Sequence, residues 1–180
     1  MGAPNAPITV VEYADLHCPI CASFANNAFA TIKSEYVDTG KIRWVFRHYA
    51  VVTSNSDIAA QGSECASDQN KFWEFIAAVY ANQTQWLGPE ASPKSDADTM
   101  TSLKALATQL GLSNATFDPC IDGGGKKSRV DSDISSGNAL GVTGTPTFFI
   151  GNQKVVGFSG TQAFKDSLDS AINCATAAGS

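Results

Sequence analysis

Long hydrophobic runs, blocks of a single charge and close-spaced sets of metal ligands are all missing from this sequence. No apolar stretch approaches the roughly 20 residues that a helix needs to span a bilayer. The 12 Lys and Arg are outnumbered by 17 Asp and Glu and form no basic run, so nucleic acid is not an expected partner. His17 and His48 are the only histidines, and with Cys18 and Cys21 they lack the second close-spaced ligand pair of a structural zinc site. No metal is expected. No signal peptide is visible, since Met1-Gly2-Ala3-Pro4 runs almost directly into a strand pattern. That start fits a cytosolic chain, or an exported one whose N-terminal signal or anchor has been removed. With 180 residues, 43% hydrophobic and 16% charged, the chain has the composition of one globular domain, or of a small domain carrying a large insertion.

Cysteine, by contrast, occurs five times, at Cys18, Cys21, Cys65, Cys120 and Cys174. An odd count leaves at least one thiol unpaired within the chain. Cys18-Pro19-Ile20-Cys21 carries the sharpest chemical signal, because it falls where a strand pattern gives way to a helical one. At a helix start the first thiol meets unpaired backbone N–H groups and the positive end of the helix dipole, and both favour thiolate. Cys21, one turn along, is placed to close a small disulfide ring. The arrangement suits a thiol that attacks and a thiol that resolves. The other three cysteines admit three pairings, or none if they are small buried apolar residues.

Ile8 to Ala14 (ITVVEYA) is rich in β-branched residues and bounded by Pro7 and Asp15, the pattern of a strand. Pro19 suits the first helical position, and Phe24, Ala25, Ala28, Phe29, Ile32 and Tyr36 recur at helical spacing until Gly40. Ile42 to Tyr49 alternates and predicts a second strand. Strand, helix, strand with short connections implies a parallel pair and a right-handed crossover. From about Ser54 to Leu140 helical stripes take over, with Phe72, Phe75, Ile76, Val79 and Tyr80 in one and Leu103, Leu106, Ala107 and Leu110 in another. Strands return at Thr147 to Ile150 and Val155 to Phe158 around a Gly151-Asn152 turn, and Phe164, Leu168 and Ile172 mark a last helix. The predicted class is α/β, with residues 1–53 and 141–180 forming one discontinuous unit and 54–140 an inserted helical one. Gly144-Thr145-Pro146-Thr147 opens the returning hairpin, where proline fits a strand start, an edge or a cis turn.

HCPIC after VVEYAD, SECASDQNKFWEF in the helical block and GVTGTPTFFIG before the last hairpin together resemble the DsbA-like thiol–disulfide oxidoreductases, over nearly the whole chain. The resemblance implies a thioredoxin fold (βαβ…ββα) with an inserted helical domain. It also implies disulfide exchange on protein thiols, with no cofactor beyond the Cys18–Cys21 disulfide. Cys18 is then the exposed nucleophile, Cys21 the buried resolving thiol, Pro146 a cis proline and Thr145 a substrate contact. The family has a glutamate at the place of Glu12, which is expected as a partly buried acid handling the Cys21 proton. Relatives often carry a second disulfide in the insertion. That implies Cys65–Cys120, adding roughly 3–5 kcal/mol by the chain-entropy model, and leaves Cys174 as the odd thiol.

Exchange proceeds by thiolate attack through a mixed disulfide, so the nucleophile must ionise near neutral pH. A free cysteine titrates near ~8.5, whereas CxxC thiols at helix starts fall to roughly 3.5–7.5, with DsbA itself at the low end. Pro19 and Ile20 tune that value. The strong oxidants of the family carry histidine in place of Ile20, and isoleucine neither donates a hydrogen bond nor adds charge. A less depressed pKa and a less oxidising disulfide are expected. Thr145 matches the isomerase-type relatives, where other members carry valine. His17 adjoins the dithiol as a tuning residue, or else occupies a surface turn; His48, Phe72 and Trp73 are expected to be structural. Asn82-Gln83-Thr84 and Asn114-Ala115-Thr116 match glycosylation sequons, a pattern common by chance. The expected function is to introduce disulfides into folding extracytoplasmic proteins. The chain is expected to act as a monomer on unfolded or reduced proteins, reset by a membrane or soluble redox partner. The alternatives are an isomerase or reductase on the same fold, and a peptide-binding protein without turnover.

Overall fold

A computed structural model describes residues 1–178. Strands β1 (Ile8–Ala14), β2 (Ile42–His48), β3 (Thr147–Ile150) and β4 (Gln153–Val156) form one sheet in the order β2-β1-β3-β4. β1 runs parallel to β2 and antiparallel to β3, with Tyr13 opposite Thr147. The chain therefore enters β3 at the end of the sheet where it leaves β1. That topology brings the segment after Ala14, which carries Cys18, beside the segment before Thr147, which carries Thr145 and Pro146. β4 begins two residues earlier than the sequence pattern suggests, because the tight turn at Gly151-Asn152 starts pairing at once, Ile150 with Gln153.

Helix α1 (Pro19–Asn27) opens with Cys18 as its N-cap in extended conformation and Pro19 in the first turn, where no N–H is needed. The apolar spacing predicts one helix to Tyr36. Instead Ala28 leaves helical geometry at φ −124°, and α2 (Phe29–Ile32) runs into a π-helical turn over Lys33–Val37. The stripe survives the break. Phe24, Ala28, Ile32 and Tyr36 all stay buried, packed with Val10, Trp44, Phe148 and, from the last helix α9 (Thr161–Ala178), Phe164.

Helices α3 (Ser56–Ser67), α4 (Phe72–Ala81), α5 (Gln83–Leu87), α6 (Asp96–Gln109) and α7 (Asn114–Asp122) follow β2 and share a second core around Phe75, Val79, Leu103, Leu106 and Phe117. Cys65 of α3 and Cys120 of α7 are joined by a disulfide, with Cα atoms 6.0 Å apart. Helix α8 (Lys127–Ala139), which the sequence groups with this block, packs through Ile134 on the Val11, Tyr13 and Phe149 face of the sheet, opposite the Val10 and Phe148 face that α9 covers. Its buried positions are Val130, Asp133 and Gly137, so it shows no apolar stripe. Gly137 makes the approach: a Cβ there would stand 2.8 Å from the Tyr49 ring. No helix among the described residues is long and apolar enough to cross a membrane.

Candidate active site

A buried carboxylate organises the turn between β1 and α1. Asp15 Oδ1 accepts the His17 N–H at 2.7 Å, and Oδ2 accepts the Val51 and Val52 N–H groups at 2.8 Å each. The Asp15 carbonyl accepts the Cys18 N–H at 3.1 Å. The Cys18 turn is thereby tied to the segment that follows β2. Cys18 and Cys21 are free thiols, and Cys21 is fully buried. Cys18 is only 5% exposed, which corrects the expectation of an exposed nucleophile. The Thr145–Pro146 segment covers it: that peptide is cis, and the Cys18 thiol donates to the Thr145 carbonyl at 3.3 Å. Ile20 is 48% exposed and stands at the rim with Pro19.

The two thiols are pushed apart in acidity. Cys18 is lowered from 9.0 to about 6, chiefly by a hydrogen bond from the Cys21 thiol. Burial opposes the shift, while the Thr145 side chain and the backbone N–H groups of Cys21 and Ile20 reinforce it. Burial raises Cys21 well above the ordinary thiol value, and the hydrogen bond and charge of Cys18 raise it further. At neutral pH one sulfur is held as thiolate and the other as a proton donor. The Ile20 side chain has no part in this; only its backbone does.

Glu12 is buried more deeply than the sequence suggests. It is 4% exposed, and its Oε2 accepts the Trp44 indole N–H at 3.1 Å. Burial raises its pKa from 4.5 to about 8, with the Trp44 bond offsetting part of the rise. Its charge acts in turn on Cys21. Glu12 also lines a pocket of about 280 Å³ whose other walls include Phe24, Phe29, Phe46 and Trp73. Phe72 and Trp73 are partly buried at this seam, in edge contact with Phe46.

His17 departs furthest from its expected place. It is buried, not in a surface turn, and its ring bonds to groups other than the two thiols. Its Nδ1 lies 2.8 Å from Thr53 Oγ1 and 3.0 Å from Asn55 Oδ1, and its Nε2 lies 2.7 Å from the Gly88 carbonyl. The turn is covered by the start of α3 and the end of α5, so a polar ring there must find partners inside. His48 is also buried, 3.1 Å from Ser63 Oγ and 3.3 Å from Glu64.

Asp15, Tyr80 and Gln83 carry no mark in the sequence that ties them to the dithiol. Gln83 Nε2 donates to the Leu16 carbonyl at 2.8 Å and the Cys18 carbonyl at 3.0 Å. The Tyr80 hydroxyl donates to the Asp15 carbonyl at 3.3 Å. Asp15 marks only a strand boundary in the sequence, Tyr80 a helical stripe and Gln83 the middle of a sequon. Tyr80 and Gln83 reach backbone carbonyls 65 to 67 residues away, and Asp15 accepts from N–H groups 36 and 37 residues away, which no local pattern reveals.

A family model described as thioredoxin matches residues 1–170. Disulfide bond formation protein D of Bacillus subtilis (strain 168) is 25% identical over 175 residues, covering 94% of this chain and 74% of that protein. The Na(+)/H(+) antiporter NhaA 3 of Salinispora tropica is 30% identical over 173 residues, which cover 95% of this chain but 24% of that much longer protein. Among solved structures, alpha-DsbA1 of Wolbachia pipientis superposes with a TM-score of 0.85 at 30% identity, over 100% of this chain and 93% of that one. With a CxxC at a helix start and a cis proline against it, the chain belongs to the thioredoxin family and is a DsbA-like thiol–disulfide oxidoreductase.

Proposed function

We propose that this oxidoreductase is a dithiol oxidase that introduces disulfides into folding extracytoplasmic proteins. One observation carries the reading: Cys18 is held at about 6 beside a Cys21 that keeps its proton. Stabilising the reduced state in this way makes the Cys18–Cys21 disulfide a better oxidant. In the cycle a substrate thiolate attacks Cys18 Sγ of the disulfide. The S–S bond breaks, and Cys21 leaves with the electron pair. Glu12, a neutral acid at pH 7 with a pKa of about 8 whose charge acts on Cys21, is the acid this reading assigns to protonate Cys21. A second substrate thiolate then attacks the substrate sulfur of the mixed disulfide, and Cys18 departs as its stabilised thiolate. The substrate has lost two electrons, and the dithiol holds them until a membrane or soluble disulfide-exchanging partner takes them. No bound group beyond the dithiol is needed. Thr145 and Pro146 lie against Cys18 and offer main chain to an extended substrate segment. Such recognition serves many unfolded sequences, as β-strand addition does.

Thr145 and the absence of a donor on Ile20 favour a second reading, isomerase or reductase, on the same dithiol. Equilibration with glutathione buffers separates the two. An oxidase gives a potential at or above about −180 mV, and a value at or below thioredoxin's, about −270 mV, rejects the oxidase reading. Full activity on reduced, unfolded protein after Cys18→Ala or Cys21→Ala would reject the dithiol as the site.

A further inference from the structure

We propose that Gln83 is a positioning residue for exchange: its carboxamide, reaching in from α5, holds the Cys18 turn so that the thiolate stays over the first N–H groups of α1. The inference rests on the reading of Cys18 as the nucleophile. A carboxamide has two N–H donors on one nitrogen. Here that nitrogen has two acceptors, the Leu16 carbonyl at 2.8 Å and the Cys18 carbonyl at 3.0 Å. The Cys18 carbonyl is also the first acceptor inside α1, taking the Ala22 N–H at 3.1 Å. Cys18 makes no side-chain cap, and Pro19 has no N–H to give, so the sulfur is held by backbone placement.

Gln83 is itself firmly placed. Asn82 Oδ1 caps α5 by accepting the Gln85 N–H at 3.2 Å, and Lys94 Nζ donates to the Gln85 carbonyl at 2.6 Å. Together with Tyr80, which donates to the Asp15 carbonyl, α4 and α5 grip three carbonyls of the turn, those of Asp15, Leu16 and Cys18. The contacts that hold the thiolate fall off steeply with distance and angle, so a small slip of this turn weakens them. Cys21, Glu12, Tyr80 and the buried Asp15 are titratable groups gathered around the dithiol, with the buried His17 next to Cys18 in the chain. Gln83 is uncharged, so its removal acts on the thiolate through geometry.

The test is the rate of Cys18 alkylation against pH, read by mass spectrometry on the Cys18 peptide, with the glutathione equilibrium measured in parallel. Gln83→Met keeps the length of the side chain and removes both donors. Its alkylation midpoint is expected to rise by about half to one pH unit, and the glutathione equilibrium to move about three- to tenfold toward the oxidised enzyme. Asn26→Leu is the control, since Asn26 Nδ2 donates to the Tyr80 carbonyl at 2.8 Å and joins α1 to α4 without touching the Cys18 turn. Its midpoint is expected to match the wild type. Should Gln83→Met not fold, Gln83→Asn, one methylene short of both carbonyls, is read in the same way. An unchanged Gln83 profile with lowered stability overturns the proposal, as does an equal shift in Asn26→Leu. An ordinary thiol profile for Cys18 in the wild type overturns the nucleophile reading beneath it instead.

Discussion

Burial raises the pKa of both Glu12 and Cys18, yet the net shifts run in opposite directions because the donors around the two groups differ in number. The Glu12 carboxyl has one, the Trp44 indole, whereas Cys18 has the Cys21 thiol, the Thr145 side chain and two backbone N–H groups. One hydrogen bond does not offset the desolvation of a full carboxylate charge; several do for a thiolate. The consequence for Glu12 is a linkage with a definite sign. In the unfolded chain the acid loses its proton near 4.5, and in the folded chain near about 8, so across that window the folded state binds more proton. Stability supplied by the protonated acid is complete below the lower value and is lost as pH rises toward the upper one. Glu12→Gln abolishes this loss. Relative to the wild type the variant is expected to gain stability between pH 4.5 and 8, with a ceiling of about 1.4 kcal/mol per unit. Urea unfolding at the two ends of the window checks it, and an identical difference at both ends contradicts it. The inward position of Glu12 was legible only through the family resemblance, which implies a partly buried acid there; in the structure the pleat of β1 turns Val10, Glu12 and Ala14 to one face. Trp44, its donor, lies 32 residues away and was not legible.

Helices and strands whose own residues repeat at a clear period were legible, and those held by something else were not. The stripe from Phe24 to Tyr36 keeps its spacing straight through the break at Ala28, so nothing in it reports the break. Helix α8 is the sharper example, because a glycine makes its contact with the sheet and its outer face is polar. Helix propensity alone predicts that Gly137→Ala stabilises α8 by up to about 1 kcal/mol. Packing predicts the reverse. The new Cβ meets the Tyr49 ring at 2.8 Å and Tyr13 at 3.2 Å. Tyr49 cannot swing aside cheaply, since its hydroxyl is bound to Asn138 Oδ1 at 2.7 Å and the Val142 carbonyl at 2.9 Å. Overpacking of this kind costs about 1–3 kcal/mol. The expected result is a net loss of about 1–2 kcal/mol in chemical denaturation. A stabilised variant would mean that α8 moves freely on the sheet.

The site exists only because the fold gathers residues 12–21, 80–83 and 145–146 at one end of the sheet, and the helices between β2 and β3 supply one of those three segments. What steadies those helices therefore bears on the dithiol. The Cys65–Cys120 disulfide fastens α3 to α7 across a sequence separation of 55. By the chain-entropy argument, closing a loop of that length stabilises the fold by about 4 kcal/mol. Cys65→Ala with Cys120→Ala is expected to lose that amount in the denaturation midpoint. The Cys18 alkylation midpoint should stay in place, because Gln83 and Tyr80 sit on α5 and α4, neither of which carries a cysteine of the bridge. Denatured but unreduced wild type, with Cys18 and Cys21 oxidised, should return one free thiol, Cys174. A count of three would mean that the bridge is open in solution. The shape of the unfolding curve adds a further discrimination. The sheet-side and helical clusters are distinct, so the bridge-less variant tests whether they melt together. One shared transition means that the two cores are coupled, as α1 and Trp73, which contribute to both clusters, allow. An early transition that takes the Cys18 profile with it would instead make the disulfide the element that keeps Gln83 in reach of the nucleophile.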